Sequence, residues 1–214
     1  MKRVRFFLAT GHSEKSQGAA YHGTTEWQVT NEIVSNIKGS NFVIVPDGTI
    51  AQKVAFLEKY MQEGDIFIDL HLDAERSRTR RGSMIYFDHE NDKGFDNASK
   101  IIKAYCDGSG QKLNSITSEF YSRFRYLGVI SNGKKFKSQR FVLELGFLSN
   151  FDDLAFVRKH ALKGIYAIDN EFNFSAIKAL QKRIIALSRA ARNYPRLKGF
   201  LNKMILKLKL MLKR

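Results

Sequence analysis

Two histidines and two glutamates of this 214-residue chain occupy positions from which their side chains can meet. His12, His71 and Glu144 each directly follow a short apolar run that predicts a β-strand, while Glu26 opens a predicted helix. The carboxyl ends of neighbouring parallel strands lie side by side, so we expect these four residues to converge at one edge of a sheet. Taken alone, each of them fits a solvated surface or cap position equally well.

These side chains match what hydrolysis at a zinc ion requires. Two imidazoles and one carboxylate, with a fourth position open to water, form a typical hydrolytic zinc site. A second carboxylate that does not bind the metal can accept a proton from that water and pass it to a leaving nitrogen. The single cysteine, Cys106, excludes an internal disulfide and most thiolate metal sites, so histidine and carboxylate must hold any metal.

The elements that position these residues alternate between strand and helix. Apolar runs predict strands at residues 4–9, 41–45, 65–70, 83–87 and 140–143, with helices between most of them. A helical segment is predicted at Ser115–Arg125, a short strand at Tyr126–Ile130 and a long helix from Asn150 to about Ile168. The alternation predicts a three-layer α/β domain in which a mostly parallel twisted sheet carries helices on both faces.

Four motifs, in this order, resemble the zinc-dependent N-acetylmuramoyl-L-alanine amidases of the type-3 amidase family, which includes bacterial cell-wall amidases and many phage endolysins. His12 in the pair GH is similar to the family's first zinc histidine, and Glu26 to the zinc glutamate at the start of a helix. His71 in DLHLDA is similar to the second zinc histidine. Glu144 in ELGFLSN is similar to the catalytic acid/base. The resemblance therefore implies one zinc ion held by His12, Glu26 and His71.

The resemblance covers about Arg3 to Phe174 and implies cleavage of the amide bond between N-acetylmuramic acid and L-alanine in peptidoglycan. Ser13 stands where the family usually has a second glycine, and Asp73 where it usually has asparagine. Substrate contacts are predicted for the polar residues around this edge: His22, Asp73, Arg81 and Asn150. For the arginine run that contains Arg81, a solvated loop is the alternative.

The net charge of +15 is concentrated at the carboxyl end of the chain. Ser175–Arg214 holds 12 lysines and arginines and no acidic residue, whereas residues 1–174 hold 24 basic against 21 acidic residues. This asymmetry predicts two parts with separate roles, a catalytic domain at 1–174 and a cationic tail at 175–214.

Apolar residues of the tail recur every three or four positions, which predicts two amphipathic helices interrupted at Asn193-Tyr194-Pro195. A strongly cationic amphipathic helix is typical of binding to an anionic membrane surface, and its charge also favours lipopolysaccharide or acidic wall polymers. The alternative is a helical hairpin that packs its apolar stripe on the domain or on a second copy. No groove-reading motif indicates specific binding of nucleic acid.

The amino-terminal apolar run Phe6–Ala9 is shorter than the apolar segment of roughly 7–15 residues within a secretory signal. We therefore expect synthesis in the cytoplasm and action at the cell wall or periplasm after release, as for a phage- or prophage-type endolysin. Two alternatives stay open: another zinc peptidase that cleaves cell-wall peptides, and a non-catalytic cationic envelope-binding protein on an amidase scaffold.

Overall fold

The computed structural model describes residues 3–90, 93–122, 126–132, 139–194 and 198–212. Its strands are β1 (Phe6–Thr10), β2 (Ala20–Tyr21), β3 (Thr24–Thr25), β4 (Phe42–Ile44), β5 (Ile66–Asp73), β6 (Ser83–Phe87), β7 (Leu113–Ser118) and β8 (Arg140–Phe147). Its helices are α1 (Glu26–Ser35), α2 (Ile50–Tyr60), α3 (Gly94–Ser109), α4 (Gly128–Ser131), α5 (Phe151–Asn173), α6 (Ser175–Asn193) and α7 (Lys198–Leu212).

Six strands form one sheet in the order β4-β1-β5-β8-β6-β7. The first four of these run parallel to one another, whereas β6 is antiparallel to β8 and parallel to β7. The predicted mostly parallel sheet surrounded by helices is therefore confirmed. Because β6 and β7 run opposite to the other strands, the carboxyl ends of β1, β5 and β8 lie together at one edge of the sheet, and those of β6 and β7 lie at the opposite edge.

The central strands form because their side chains are apolar on both faces. Every residue of β1 is buried, and so are the first five residues of β5 and the first four of β8. A strand buried on both faces is what a parallel sheet covered by helices requires. Two predicted strands proved longer than expected: β5 continues to Asp73 and β8 to Phe147, because the two strands stay paired through His71 and Glu144.

Two predicted elements were wrong. The stretch from Ser115 is not helical; residues to Ser118 form β7, which pairs with β6, and a 3-10 turn follows at Glu119–Tyr121. Residues 123–125 of that prediction lie outside the described part of the chain. The short strand predicted at Tyr126–Ile130 is instead the one-turn helix α4. In the first case strand pairing overrode the aromatic pattern, since β-propensity depends on neighbouring strands.

The chain forms two compact units. The larger unit is Arg5–Ile168, and the smaller one combines Met1–Val4 with Asp169–Arg214. In the smaller unit α6 and α7 pack against each other. Asn173 exchanges hydrogen bonds with the Val4 backbone, at 2.7 Å and 3.0 Å. None of the helices in the described part of the chain combines the length and hydrophobicity needed to span a membrane. A catalytic domain ending at 174 stays a prediction.

Candidate metal centre

Three of the predicted residues meet at the edge where β1 and β5 end. His12 Nε2 lies 3.1 Å from Glu26 Oε2, and His71 Nδ1 lies 2.8 Å from Glu26 Oε1. One donor atom of each residue lies within 4.8 Å of the others. The carboxylate thus stands between two imidazoles and offers one oxygen to each, an arrangement that can hold a metal ion.

Glu26 is fixed by the start of α1. Thr25 caps this helix: its hydroxyl accepts the Gln28 N–H at 3.3 Å, and the Gln28 side chain accepts the Thr25 N–H at 3.0 Å. This reciprocal capping satisfies donors that the first turn leaves unpaired. The Glu26 carboxylate also accepts the Leu72 N–H at 3.2 Å, which ties α1 to β5 beside His71.

Two glycines allow the close approach of these side chains. A methyl group on Gly11 would lie 2.4 Å from the His71 ring. A methyl group on Gly18 would lie 2.5 Å from the His12 ring and 2.7 Å from Glu26 Oε2. Gly18 also has a φ of +73°, a left-handed conformation that glycine adopts at little cost. The loop between β1 and α1 can therefore close over the cluster only with glycine at this position.

The electrostatics of the cluster favour an ionised carboxylate. Burial alone would raise the pKa of Glu26, but hydrogen bonds from His12 and His71 outweigh it and hold that pKa well below its usual range. Burial would lower the pKa of His71, yet hydrogen bonds to Asp69 and Glu26 leave it well above its usual value. Glu26 is therefore ionised at neutral pH, and its carboxylate can serve as an anionic ligand.

Glu144 lies beside this cluster on the next strand. It pairs in register with His71 across the parallel β5/β8 ladder, so the two side chains lie on the same face of the sheet. Glu144 also lines a cleft of about 810 Å³ together with all three residues of the cluster. Residues on or next to α2 and α4 also line the cleft, among them Ile50, Leu127 and Val129.

Of the four residues predicted to contact substrate, Asp73 lines the cleft, and the other three are not among its lining residues. His22 lies 2.9 Å from the Ser149 carbonyl oxygen and has a positive φ of 52°. Asn150 caps α5 by accepting the Asp153 N–H at 3.0 Å, and Arg81 lies 3.9 Å from Asp153. Substrate contact by these residues stays a prediction.

Sequence reasoning missed two charged residues beneath the cluster, Lys53 and Asp69. Both are almost fully buried and both line the cleft. Asp69 precedes His71 by two positions in a strand, which places both side chains on one face, and that spacing was a usable signal. Lys53 lies on α2, where nothing in its local sequence distinguishes it from an exposed lysine.

A second cluster of titratable groups lies at the opposite edge of the sheet. Asp88 directly follows β6, Glu119 follows β7, and His89 lies between them, with His89 Nδ1 3.3 Å from Glu119 Oε1. One donor atom of each lies within 4.8 Å of the others. Both carboxylates are buried, and burial together with the nearby Asp88 raises the pKa of Glu119 to about 7.

The fold and the cluster together define a class: a three-layer-type α/β scaffold, a mostly parallel sheet with helices around it, that carries a His–Glu–His cluster at the carboxyl ends of its parallel strands. A family model described as N-acetylmuramoyl-L-alanine amidase matches residues 7–169, more than half of the chain. The chain therefore belongs to this family, the type-3 amidases. It is a peptidoglycan amidase, which hydrolyses the amide bond between N-acetylmuramic acid and L-alanine.

Known relatives agree with this assignment. The endolysin of Bacillus phage SPP1 is 22% identical over 190 residues, which cover 83% of this chain and 67% of that protein. The catalytic domain of CwlV, an N-acetylmuramoyl-L-alanine amidase from Bacillus (Paenibacillus) polymyxa var. colistinus, has a TM-score of 0.62 at 18% identity, covering 79% of this chain and 97% of that one. An N-acetylmuramoyl-L-alanine amidase from Clostridium difficile 630 has a TM-score of 0.63 at 13% identity, covering 79% and 94%. At these identities the two solved structures show the fold.

Proposed function

We propose that His12, Glu26 and His71 bind one zinc ion and that Glu144 transfers the proton during amide hydrolysis. The observation that carries this proposal is the meeting of the three donor atoms within 4.8 Å, beside a cleft that Glu144 lines. Three protein ligands next to an open cleft suit a catalytic rather than a structural metal site, because a catalytic site keeps one position for water or substrate.

The donor set fits zinc better than a harder cation. Magnesium and calcium prefer shells of oxygen ligands, whereas imidazole suits zinc and its transition-metal neighbours. Two of the three donors here are imidazole nitrogens, and the glutamate between them directs an oxygen towards each. The absence of a side chain on Gly18 also leaves room beside these donors, since a methyl group there would lie 2.7 Å from Glu26 Oε2.

A zinc ion held there would supply a Lewis acid that lowers the pKa of water and polarises the carbonyl of the scissile amide. The chain itself supplies proton transfer. Glu144 is half-buried on β8 next to His71, within the cleft where the amide must lie. Its carboxylate accepts a proton from the attacking water and returns it to the departing L-alanine nitrogen. General acid–base catalysis of this kind contributes about 10²–10⁴-fold.

The test is digestion of purified peptidoglycan, followed by chemical identification of the new amino termini. The wild type should release N-terminal L-alanine, lose this activity with EDTA and regain it with zinc. Glu144→Gln should bind zinc normally and lose about 10²–10⁴-fold in rate. Glu32→Gln, an exposed carboxylate on α1, is the matched control and should keep full activity.

Four results would contradict the proposal. Activity that survives removal of all metal would exclude the zinc role. Full activity of Glu144→Gln would exclude its role as acid/base. New termini other than L-alanine would favour a zinc peptidase of cell-wall peptides. A folded, zinc-loaded wild type that releases nothing from several wall types would favour an envelope-binding protein on an amidase scaffold.

We also propose that the cationic tail, Ser175–Arg214, binds an anionic envelope surface such as a membrane or lipopolysaccharide. Its 12 basic residues have no acidic counterpart within the tail. Large apolar side chains of α6 and α7 are also exposed among these cations, namely Ile185, Phe200, Leu206 and Leu210. Exposed apolar groups next to lysine favour partition into the headgroup region of an anionic bilayer.

Sedimentation with vesicles tests the tail. Vesicles rich in phosphatidylglycerol should bind the protein in a salt-dependent manner, and phosphatidylcholine vesicles should not. Replacing three exposed tail lysines by glutamine should weaken binding about a hundredfold, at about 1 kcal/mol for each lysine: Lys203, Lys207 and Lys209. The control replaces three exposed lysines outside the tail: Lys38, Lys103 and Lys159. If both variants lost the same amount of vesicle binding, the binding would depend only on net charge, which would contradict the proposal.

The site of action follows from the same proposal. The similar endolysin comes from a phage, and the substrate of the family is the cell wall. We infer that the protein acts on the wall after release from the compartment in which it is made. Expression in the cytoplasm of a bacterial host should leave cells intact until the membrane is permeabilised. Lysis that needs no permeabilisation would contradict this inference.

A further inference from the structure

A buried lysine lies directly beneath the metal centre. Lys53, on α2, is 2% exposed, and its ammonium group donates hydrogen bonds to the carbonyl oxygens of Thr10 and His12, the latter at 3.1 Å. The same nitrogen lies 3.9 Å from Asp69 Oδ1. A lysine is almost never fully buried unless it is paired, so these three oxygens account for its position.

Asp69 links this lysine to the metal centre. It is 1% exposed on β5, and its Oδ2 lies 3.3 Å from His71 Nε2. The other ring nitrogen of His71 faces Glu26 at 2.8 Å. A carboxylate at Nε2 favours a proton on that nitrogen, so Nδ1, which faces Glu26, is the ring nitrogen that could bind a cation.

We infer that Lys53 and Asp69 are a positioning pair that fixes the ring orientation and tautomer of His71 and ties it to the loop of His12. Asp69 selects Nδ1 of His71 as the metal-binding nitrogen. Lys53 neutralises the buried Asp69 and, through the His12 carbonyl, holds the loop that places the His12 imidazole 3.1 Å from Glu26. One buried ion pair thereby sets two of the three donors, and this inference rests on the proposed zinc site.

A purely structural ion pair is the alternative, and the same strand offers a matched control. Asp65, just before β5, is 1% exposed and accepts a hydrogen bond from Arg5 Nε at 3.1 Å. This pair is also buried on its carboxylate side, but its carboxylate contacts no residue of the metal centre. Loss of Asp65 should therefore cost stability without changing the metal site.

The experiment measures zinc affinity by competition with a chromophoric chelator and the visible absorption of the cobalt(II)-loaded protein. Asp69→Asn and Lys53→Gln should each weaken zinc binding about 10- to 100-fold and change the cobalt spectrum. Their effects should not add in the double variant, because the two side chains act as one unit. Asp65→Asn should keep wild-type affinity and spectrum while its thermal midpoint falls.

Wild-type affinity and an unchanged cobalt spectrum in Asp69→Asn would overturn the inference, as would equal losses of zinc affinity in Asp69→Asn and Asp65→Asn. If Asp69→Asn does not fold, Lys53→Gln and Lys53→Arg test the inference instead. Only Lys53→Gln removes the positive charge next to Asp69, so it should weaken zinc binding more than Lys53→Arg, and equal affinities would overturn the inference. Failure of the wild type to bind zinc would instead contradict the proposed function, so the two failures are distinguishable.

Discussion

The sheet carries two clusters of histidine and carboxylate at opposite edges, and both are assembled in the same way. His12 and His71 lie at the ends of the neighbouring parallel strands β1 and β5. Asp88 and Glu119 follow the ends of β6 and β7, which are also neighbours and parallel. In each cluster three donor atoms lie within 4.8 Å. Convergence at strand ends therefore gathers titratable groups at both edges, and it does not by itself make a metal centre.

The ratio of histidine to carboxylate separates the two clusters. In the candidate metal centre each oxygen of Glu26 faces an imidazole, and the pKa of Glu26 is lowered. In the second cluster two buried carboxylates share one imidazole. Asp88 Oδ2 and Glu119 Oε2 make no hydrogen bond within the described part of the chain, and the pKa of Glu119 is raised to about 7. Glu26 in the first cluster therefore stays ionised, whereas Glu119 in the second can hold a proton near neutral pH.

The strongest test of this contrast exchanges one histidine of each cluster for alanine. On the proposed zinc site, His71→Ala should abolish zinc binding and lower amidase activity by more than about a thousandfold, because a zinc ion bound there would contribute several kcal/mol to the reaction. His89→Ala should leave zinc binding and amidase activity within about twofold of the wild-type values. Zinc titration and release of L-alanine from peptidoglycan measure the two effects. If His89→Ala lost zinc and His71→Ala kept it, the metal would bind at the second cluster and the proposed site would be wrong.

Two glycines of the same loop give the next test. Gly18 and Gly23 have φ values of +73° and +72°, so alanine at either position costs about 1–2 kcal/mol of backbone strain. Only Gly18 borders the metal centre; a methyl group on Gly23 meets no atom within 4 Å. Gly18→Ala should therefore also weaken zinc binding at least tenfold, measured by chelator competition. Equal zinc affinities would show that the loop gives way without disturbing His12.

The convergence of His12, Glu26 and His71 was predictable from the sequence because these residues sit next to strong strand or helix-start signals. His12, His71 and Glu144 follow runs of apolar residues, and a parallel sheet brings such strand ends together. The second cluster was missed because β7 was interpreted as a helix. With Ser115 placed in a strand, Glu119 becomes a residue at a strand end beside Asp88, and the same rule would have found it.

Lys53, by contrast, could not have been found from the sequence pattern, for a different reason. Lys53 belongs to α2, a helix whose cap and apolar spacing are predictable. Its partner, Asp69, lies on β5, later in the chain, and the two side chains approach each other only in the folded protein. Burial of a charge depends on such tertiary pairing, and periodicity carries no information about it. The sequence therefore predicts where ligands converge, while their support depends on contacts between elements.

Protonation of Glu119 makes a prediction about pH. Its pKa lies near 4.5 in the unfolded chain and about 7 in the folded protein, so the folded state binds more protons between these values. The free energy of unfolding should then fall as pH rises from about 5 to 8. Glu119→Gln should remove most of this fall and raise stability at pH 8 by about 1–3 kcal/mol. Urea titrations at pH 5 and pH 8 measure it, with Glu32→Gln as control. Destabilisation of Glu119→Gln at pH 8 would show that its ionised form is the stabilising one.

The smallest expected effects come from the caps of the elements that carry each glutamate. Thr25 caps α1, a ten-residue helix that begins with Glu26, and Ser118 caps the three-residue turn that begins with Glu119. Thr25→Ala should cost about 1 kcal/mol of stability and weaken zinc binding a few-fold, because fraying of the first turn moves a ligand. Ser118→Ala should cost less and leave zinc affinity unchanged. Calorimetry and zinc competition compare the two, and equal zinc losses would mean that the clusters are coupled through the sheet.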